Sequence, residues 1–202
     1  TFSHELVEQL ARDASIPVIN GLTDLLHPCQ AMADLVTMAE VMKPTEATIA
    51  YVGDGNNVVN SLILLAAVLG LRLNVATPES HRPSTRVLER ARALAVTSGA
   101  QIDLGNDPIE AVRGVDFVYT DTWTSMGQED EAVLRREIFR DYQVNEDLLS
   151  HTANARVMHC LPAHRGEEVT AEVLDGPRSI VFDQAENRLH AQNAILEHLL
   201  AR

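Results

Sequence analysis

The chain has 202 residues, of which 46% are hydrophobic and 22% charged, a composition typical of a soluble globular protein with one sizeable core rather than of a disordered chain. Its 16 basic and 29 acidic residues give a formal charge of −13, and so acidic a surface repels nucleic acid and anionic membranes, which excludes both as expected partners. No apolar run approaches the ~20 residues of a membrane span, no secretory leader is visible, and the two distant cysteines form no disulfide framework, so we expect a cytoplasmic location.

The first 43 residues predict two helices. Apolar residues at helical spacing predict a helix over 4–12, with Ser3 as its N-cap. Residues 16–20 are typical of a short strand, and a second helix is predicted over 28–42, with Pro28 at the first turn, where its missing N–H costs nothing. The opening elements are therefore interpreted as the end of something larger.

From Thr48 onward the pattern alternates between strand and helix. The predicted strands are 48–52, 72–76, 101–104, 116–120 and 156–158, with a possible sixth extended piece at 178–182. The predicted helices are 57–69, 83–98, 108–113, 129–139 and 185–201. This alternation predicts an α/β fold, a doubly wound, Rossmann-like parallel sheet with flanking helices.

Three polar clusters follow directly on predicted strands, at 53–57, 121–126 and 159–162. Ligands of such sheets bind beyond the carboxyl ends of the strands. We therefore expect one crevice to collect all three clusters.

The run His159-Cys160-Leu161-Pro162 contains the candidate thiol. A free cysteine is most often a small apolar filler, but the nearby X-Pro bond and polar tail favour a functional interpretation. A nearby cation or polar contacts would lower the pKa of the thiol, which could then interact with a reacting amine. A Cys/His protease is not expected, since neighbouring residues on a strand point to opposite faces and His159 would not serve as the base.

The run from Asp121 to Gly127 combines a carboxylate, hydroxyls and a glycine. These groups suit the α-ammonium and α-carboxylate of an amino acid. An N-capping Asp followed by turn residues explains the run equally well.

The run Gly53-Asp54-Gly55-Asn56-Asn57 is similar to a nucleotide-binding turn. Val58 stands where the third glycine of the dinucleotide pattern would be, so the NAD hypothesis ranks below the amino-acid hypothesis. The two asparagines would either cap the next helix or hold a carboxylate.

Three further polar residues are candidates for binding a carbonyl or an anion. His27 and Gln30 lie three apart at a helix start, where they would form a polar clamp. Taken alone, a capping His and a solvated Gln explain the pair better. Arg188, among acidic residues in the last helix, would be a surface ion-pair member unless it faced the crevice.

Together and in this order, these five runs resemble the ornithine carbamoyltransferase family. Each run is weak alone, but jointly they are specific and cover nearly the whole chain. Cys160 resembles the ornithine branch, since the aspartate branch carries a Pro-Leu-Pro-Arg-like run at that place. The resemblance implies four parts: 1–27, the tail of a carbamoyl-phosphate domain; 28–43, an interdomain helix; 44–184, an ornithine-binding domain; and 185–202, a C-terminal helix returning toward the first domain.

The resemblance also implies the reaction, in which carbamoyl phosphate and L-ornithine give L-citrulline and phosphate with no cofactor and no metal. The ornithine-binding residues would be Asn57, Asp121, Ser125, Met126 and Leu161. The carbamoyl-phosphate-binding residues would be His27, Gln30, Cys160, Leu161 and Arg188. Catalysis would fall to Cys160, Asp121, His27 and Arg188, with Cys160 placing the δ-amine and forming no covalent intermediate.

One family feature, a Ser-x-Arg-Thr-type phosphate loop, is missing from these 202 residues. The chain is therefore interpreted as a fragment that is inactive alone, from an enzyme that forms a homotrimer or a multiple of trimers. Arginine biosynthesis, the urea cycle and the arginine deiminase pathway remain open. The alternatives are a non-catalytic amino-acid-binding Rossmann module, a nucleotide-dependent oxidoreductase, and a carbamoyltransferase for putrescine or an acylated ornithine.

Overall fold

The computed structural model describes residues 3–124 and 129–201. The helices are α1 (His4–Asp13), α2 (Pro28–Val41), α3 (Asn57–Leu69), α4 (Thr85–Ser98), α5 (Pro108–Val112), α6 (Ala132–Phe139), α7 (Glu146–Ser150), α8 (Ala171–Leu174) and α9 (Val181–Leu200). The strands are β1 (Thr48–Val52), β2 (Arg72–Ala76), β3 (Gln101–Gly105), β4 (Phe117–Thr120) and β5 (Arg156–His159). Short 3-10 turns occupy Glu79–His81, Glu129–Glu131 and Arg140–Tyr142.

The five strands form one parallel sheet in the order β3-β2-β1-β4-β5. After β1 the chain adds β2 and β3 on one side, and then crosses over to add β4 and β5 on the other. The boundary between β1 and β4 is therefore the topological switch point, where loops diverge and leave a crevice. The predicted doubly wound α/β architecture is confirmed.

The sheet is covered on both faces, and this explains the continuous apolar runs of its central strands. Side chains of β1 alternate between two cores. Ile49 and Tyr51 pack in a core with α3 and α4, while Ala50 and Val52 pack in a second core with Trp123 and the helices of the other face. Alternation along a strand sends successive side chains to opposite faces.

Two predicted extended segments form no strand in the described structure. Residues 16–20 run as irregular chain, and Ile16 is 73% exposed, so its apolar pattern finds no core to pack against. In the predicted sixth piece, Ser179 makes a single bridge to Val157, and α9 begins at Val181, four residues before its predicted start. The helix predicted from 129 opens as a 3-10 turn and becomes α-helical at Ala132.

The segment before α2 is tied to the first turns of α3. Asn57 Nδ2 donates to the Thr23 carbonyl at 2.6 Å, and Asn60 Nδ2 to the Leu25 carbonyl at 3.1 Å. The His27 N–H donates to Ser61 Oγ at 2.6 Å. This ladder places the start of α2 beside the carboxyl end of β1. No helix in residues 3–124 or 129–201 is long and apolar enough to span a membrane.

Candidate functional site

Described residues from each of the three predicted polar clusters meet in a cavity of about 850 Å³. It opens beyond the carboxyl ends of β1, β4 and β5, at the switch point. The lining includes His27, Asp54, Asn56, Asn57, Asp121, Cys160 and Leu161. The expectation that one crevice collects these clusters is confirmed.

Asp121 follows β4 and is 6% exposed. Its Oδ1 accepts a hydrogen bond from Cys160 Sγ at 2.9 Å, and its Oδ2 accepts from Asn56 Nδ2 at 2.6 Å. One carboxylate therefore connects the ends of β1, β4 and β5. The alternative in which Asp121 caps a helix does not hold, because residues 122–124, which follow it directly, are not helical.

Cys160 is a thiol and not a thiolate. Burial, reinforced by the charge of the neighbouring Asp121 carboxylate, raises the pKa of Cys160 well above its ordinary value. The expectation of a lowered thiol pKa is therefore wrong, because the thiol is buried and the charged group that faces it is an anion rather than a cation. A protonated Cys160 donates one hydrogen bond and is a poor nucleophile.

His159 stabilises the turn that follows β5. Its Nε2 donates to Glu168 Oε1 at 3.2 Å, and its Nδ1 accepts from the Leu161 N–H at 2.9 Å. The side chains of His159 and Glu168 are fully buried. These partners assign the ring proton to Nε2. Both nitrogens are thus engaged away from the thiol, which confirms that His159 is not a base for Cys160.

The turn itself brings Leu161 to the cavity. Leu161 has φ 58°, and the Leu161–Pro162 peptide bond is cis. The left-handed conformation is rare for a residue with a large side chain, and the hydrogen bond from its N–H to His159 holds it there.

The two asparagines after β1 have different partners. Asn56 is the N-cap of α3, its Oδ1 accepting from the N–H groups of Val58 and Val59, and its amide nitrogen reaches Asp121. The amide nitrogen of Asn57 instead donates to the Thr23 carbonyl, although Asn57 also lines the cavity. The sequence predicted that the two asparagines would either cap the helix or hold a carboxylate, and Asn56 does both, although only Asn57 was assigned to ornithine. Ser125 and Met126, the other two predicted ornithine-binding residues, lie outside the described residues.

His27 is the N-cap residue of α2, but its side chain makes no capping bond. It is 7% exposed, and its Nδ1 has no hydrogen-bond partner among the described residues. Burial, together with the nearby positive charge of Arg188, lowers the pKa of His27 from 6.5 to about 4. The ring is therefore neutral at pH 7.

We expect the free energy of unfolding of the wild type to fall relative to that of His27→Gln as the pH drops from 6.5 to 4. The unfolded chain binds a proton on His27 near pH 6.5, whereas the folded chain does so only near pH 4, so acid favours unfolding in this window. Urea denaturation of both proteins at several pH values measures the difference. A difference independent of pH would contradict a buried neutral His27.

Gln30 and Arg188 contact each other across the α2–α9 interface. Arg188 Nη1 donates to Gln30 Oε1 at 2.6 Å. With its amide oxygen turned toward the guanidinium, Gln192 accepts from Arg188 Nη2 at 2.7 Å and from Nε at 3.1 Å. Gln30 is 1% exposed rather than solvated. Arg188 is thus half-buried, and the partners of its guanidinium are two neutral amides. These amides do not neutralise its positive charge.

Sequence reasoning missed a buried ion pair beside the cavity. Arg135 on α6 is 3% exposed, and its guanidinium donates to Asp54 Oδ2 and to the Trp123 carbonyl. The guanidinium carbon also lies 5.2 Å from the centroid of the Phe139 ring. The available sequence signal is the spacing of four between Arg135 and the apolar Phe139, which places both on one helix face.

Two groups of side chains have the donor chemistry of a metal site. The ligand atoms of Asp121, His159 and Cys160 lie within 4.8 Å of one another, as do those of His164, Glu167 and Glu168. In the first group each side chain already has a hydrogen-bond partner. A metal would have to displace these bonds, and the absence of a metal stays a prediction.

Comparison with known proteins identifies the architecture. Residues 45–199 match the model of the aspartate/ornithine carbamoyltransferase Asp/Orn binding domain. The chain belongs to the aspartate/ornithine carbamoyltransferase family. Residues 1–40 also match that family's carbamoyl-P binding domain.

Several close relatives of this carbamoyltransferase-family chain carry the name ornithine carbamoyltransferase. The protein of that name from Methanothermobacter thermautotrophicus is 55% identical over 98% of the chain and 66% of its own length. The structure from Pyrococcus furiosus is 53% identical, with a TM-score of 0.91 over 97% of this chain and 63% of its own. The anabolic enzyme from Campylobacter jejuni is 38% identical, with a TM-score of 0.93 over 98% and 67%. The chain thus spans about two thirds of the length of these carbamoyltransferases.

Proposed function

We propose that this chain forms the ornithine-binding part of an ornithine carbamoyltransferase, which transfers the carbamoyl group of carbamoyl phosphate to the δ-amine of L-ornithine. The observation that carries the proposal is the hydrogen-bonded set of Asp121, Cys160 and Asn56 at the switch-point cavity. The names of the relatives support the choice of ornithine.

The acidic residues that line the cavity bind the attacking amine. A free alkyl amine is protonated at pH 7, with a pKa of about 10, and only its neutral form attacks. Asp121 accepts hydrogen bonds on both oxygens, so it can hold an ammonium or amine N–H in place of Asn56 or the thiol. Cys160, as a protonated donor, orients the amine without forming a bond to it, and the Leu161 carbonyl accepts a further amine hydrogen.

Residues at the start of α2, together with Arg188 on α9, bind the carbamoyl group. The amine nitrogen forms a bond to the carbamoyl carbon, the bond from that carbon to the phosphate oxygen breaks, and phosphate leaves with the electron pair and takes up the proton that the amine loses. Between bond formation and the departure of phosphate, negative charge develops on the carbamoyl oxygen. The neutral His27 ring, with an unpartnered Nδ1, and the pair of Gln30 and Arg188 stabilise that charge.

We expect Cys160→Ser to retain turnover within about 10-fold of the wild type, since a serine hydroxyl also donates to Asp121 and no covalent bond to sulfur is required. Steady-state citrulline formation measures this. A loss of more than about 10³-fold in a folded variant would instead indicate a nucleophilic thiol.

The remaining parts of the proposal concern organisation. Residues 1–27 belong to the end of the carbamoyl-phosphate domain, 28–43 connect the domains, 44–184 bind ornithine, and 185–202 return toward the first domain. We place the enzyme in the cytoplasm as a homotrimer or a multiple of trimers, with no cofactor and no metal. Ser125 and Met126 hold the α-groups of ornithine, together with Asn57.

The test is a calorimetric titration of the chain with L-ornithine, its analogue L-norvaline, putrescine, N-acetylornithine and NAD. The proposal predicts binding of ornithine and norvaline, and much weaker binding of the amine without a carboxylate and of the acylated amine. Binding of NAD without ornithine or norvaline would favour a nucleotide-binding module and contradict the proposal.

A further inference from the structure

Asp34 is a buried carboxylate between three elements of the fold. It lies on α2, is 1% exposed, and its Oδ1 accepts hydrogen bonds from two glutamines. Gln30 Nε2, one turn earlier on α2, donates at 2.8 Å, and Gln184 Nε2 on α9 donates at 2.7 Å. Gln184 Nε2 also lies 3.1 Å from the hydroxyl of Tyr119 on β4.

The carboxylate determines which way both amides face. A glutamine amide has donors at one end and an acceptor at the other, and Asp34 takes the donor end of each. The acceptor ends must then point away from it. Gln30 Oε1 accepts from Arg188 Nη1 at 2.6 Å, and Gln184 Oε1 accepts from the His159 N–H at 2.9 Å.

We propose that Asp34 is a positioning residue that aligns the two halves of the active site. Through Gln30 it holds Arg188, which stabilises the carbamoyl side. Through Gln184 it holds the main chain of His159, the residue before Cys160. This role rests on the proposed function, which assigns Arg188 and Cys160 to the two substrates.

A purely structural role does not explain a carboxylate at this place. Burying a charge is costly, and burial raises the pKa of Asp34 to about 7. The same two helices are joined one turn later by a single amide, where Asn187 Nδ2 donates to Thr37 Oγ1 at 3.1 Å and to Glu40 Oε2 at 2.9 Å. That link holds one donor, whereas Asp34 holds the donor ends of two amides from different helices, and an apolar residue at position 34 would orient neither.

The kinetic test compares three variants in the native polypeptide that contains these residues. Asp34→Leu removes both acceptor contacts, and we expect kcat/KM for carbamoyl phosphate to fall about 10²-fold. Asp34→Asn keeps an oxygen that accepts from both amides, and its kcat/KM should stay within about fivefold of the wild type. Thr37→Val, the matched control, should lose stability but retain wild-type kinetics.

The second readout does not depend on the reaction. In the wild type, the side-chain amide resonances of Gln30 and Gln184 should shift together as Asp34 titrates, and a crystal structure of Asp34→Leu should show at least one of the amides rotated. If the wild type forms no citrulline, the proposed function fails, while the amide orientations still test Asp34.

The role of Asp34 would be contradicted if folded Asp34→Leu kept wild-type kcat/KM, if both amides kept their orientation, or if Thr37→Val lost as much activity. If Asp34→Leu does not fold, Gln184→Met takes its place, because it removes one amide and leaves Asp34 bonded to Gln30. A folded Gln184→Met with kcat/KM reduced at least about 10-fold supports the proposal, and wild-type kinetics overturn it.

Discussion

We expect Asp121→Asn to lower kcat/KM for ornithine by about 10³-fold, within the range of 10²–10⁴ typical of a group that handles a proton or charge in the reaction. Asp121 accepts from both Cys160 and Asn56. An asparagine there keeps the shape but has one oxygen, and its amide nitrogen would face another donor. The amine of ornithine would lose the anion that holds it. Initial rates of citrulline formation at varied ornithine concentration measure the effect.

The matched control is Asp116→Asn, at the opposite end of the same strand. Asp116 Oδ2 accepts from the Thr48 N–H at 2.8 Å, so this carboxylate also holds backbone, but at the amino end of the sheet. We expect its loss to reduce stability and leave kcat/KM within about twofold, because no bond to a reacting group changes. Equal losses of activity in both variants would show that Asp121 acts on the fold alone.

We expect Arg135→Met to lower the free energy of unfolding by about 3–5 kcal/mol at pH 7.5, because it leaves the Asp54 carboxylate buried without its counter-charge. Arg135 is 3% exposed and also donates to the Trp123 carbonyl. Guanidinium or urea denaturation measures the change.

The loss should be smaller at pH 5. Burial, partly offset by the attraction of Arg135, raises the pKa of Asp54 from 3.8 to about 6. Its folded form therefore takes up a proton more readily than the unfolded form, so the stability that Asp54 contributes is present at low pH and is lost as the pH rises through 6. Without Arg135 this pKa rises further, and acid relieves the unpaired charge.

Arg136→Met is the control for this prediction. Arg136 pairs with Glu167 at 2.8 Å, but its side chain is 54% exposed, so water screens the pair and we expect a change below about 1 kcal/mol. A similar loss in both variants, or a loss at position 135 that does not depend on pH, would contradict the importance of the buried pair.

The centre of the sheet was predictable because the central strands β1 and β4 are buried on both faces and leave continuous apolar runs. Residues 16–20 carry a similar local pattern, but Ile16 is largely exposed. Whether an apolar run pairs depends on which strand lies beside it, and local sequence does not encode that. The start of α9 was placed too late because the bridge at Ser179 and the helix share one short apolar stretch.

The sequence predicted the position of the candidate site better than it predicted the hydrogen bonds and ion pairs within it. Strand ends predicted that Asp121 and Cys160 would converge, since parallel strands deliver their carboxyl ends to one edge. The contacts themselves join residues that are far apart in the sequence. Asn56 lies 65 positions from Asp121, and Asp34 lies 150 positions from Gln184. The ion pair of Asp54 and Arg135 spans 81 positions. The raised pKa of the thiol likewise depends on its burial in the folded chain and on which charge faces it in space.

The most direct test of the central claim is carbamoyl transfer by the native polypeptide that contains these residues, with L-ornithine and L-aspartate offered separately as acceptors beside carbamoyl phosphate. The structure and its relatives predict citrulline and phosphate in equal amounts from ornithine, at a kcat/KM at least about 10³-fold above that for aspartate. Carbamoylation of aspartate in preference to ornithine, or no citrulline from a folded protein, would contradict it.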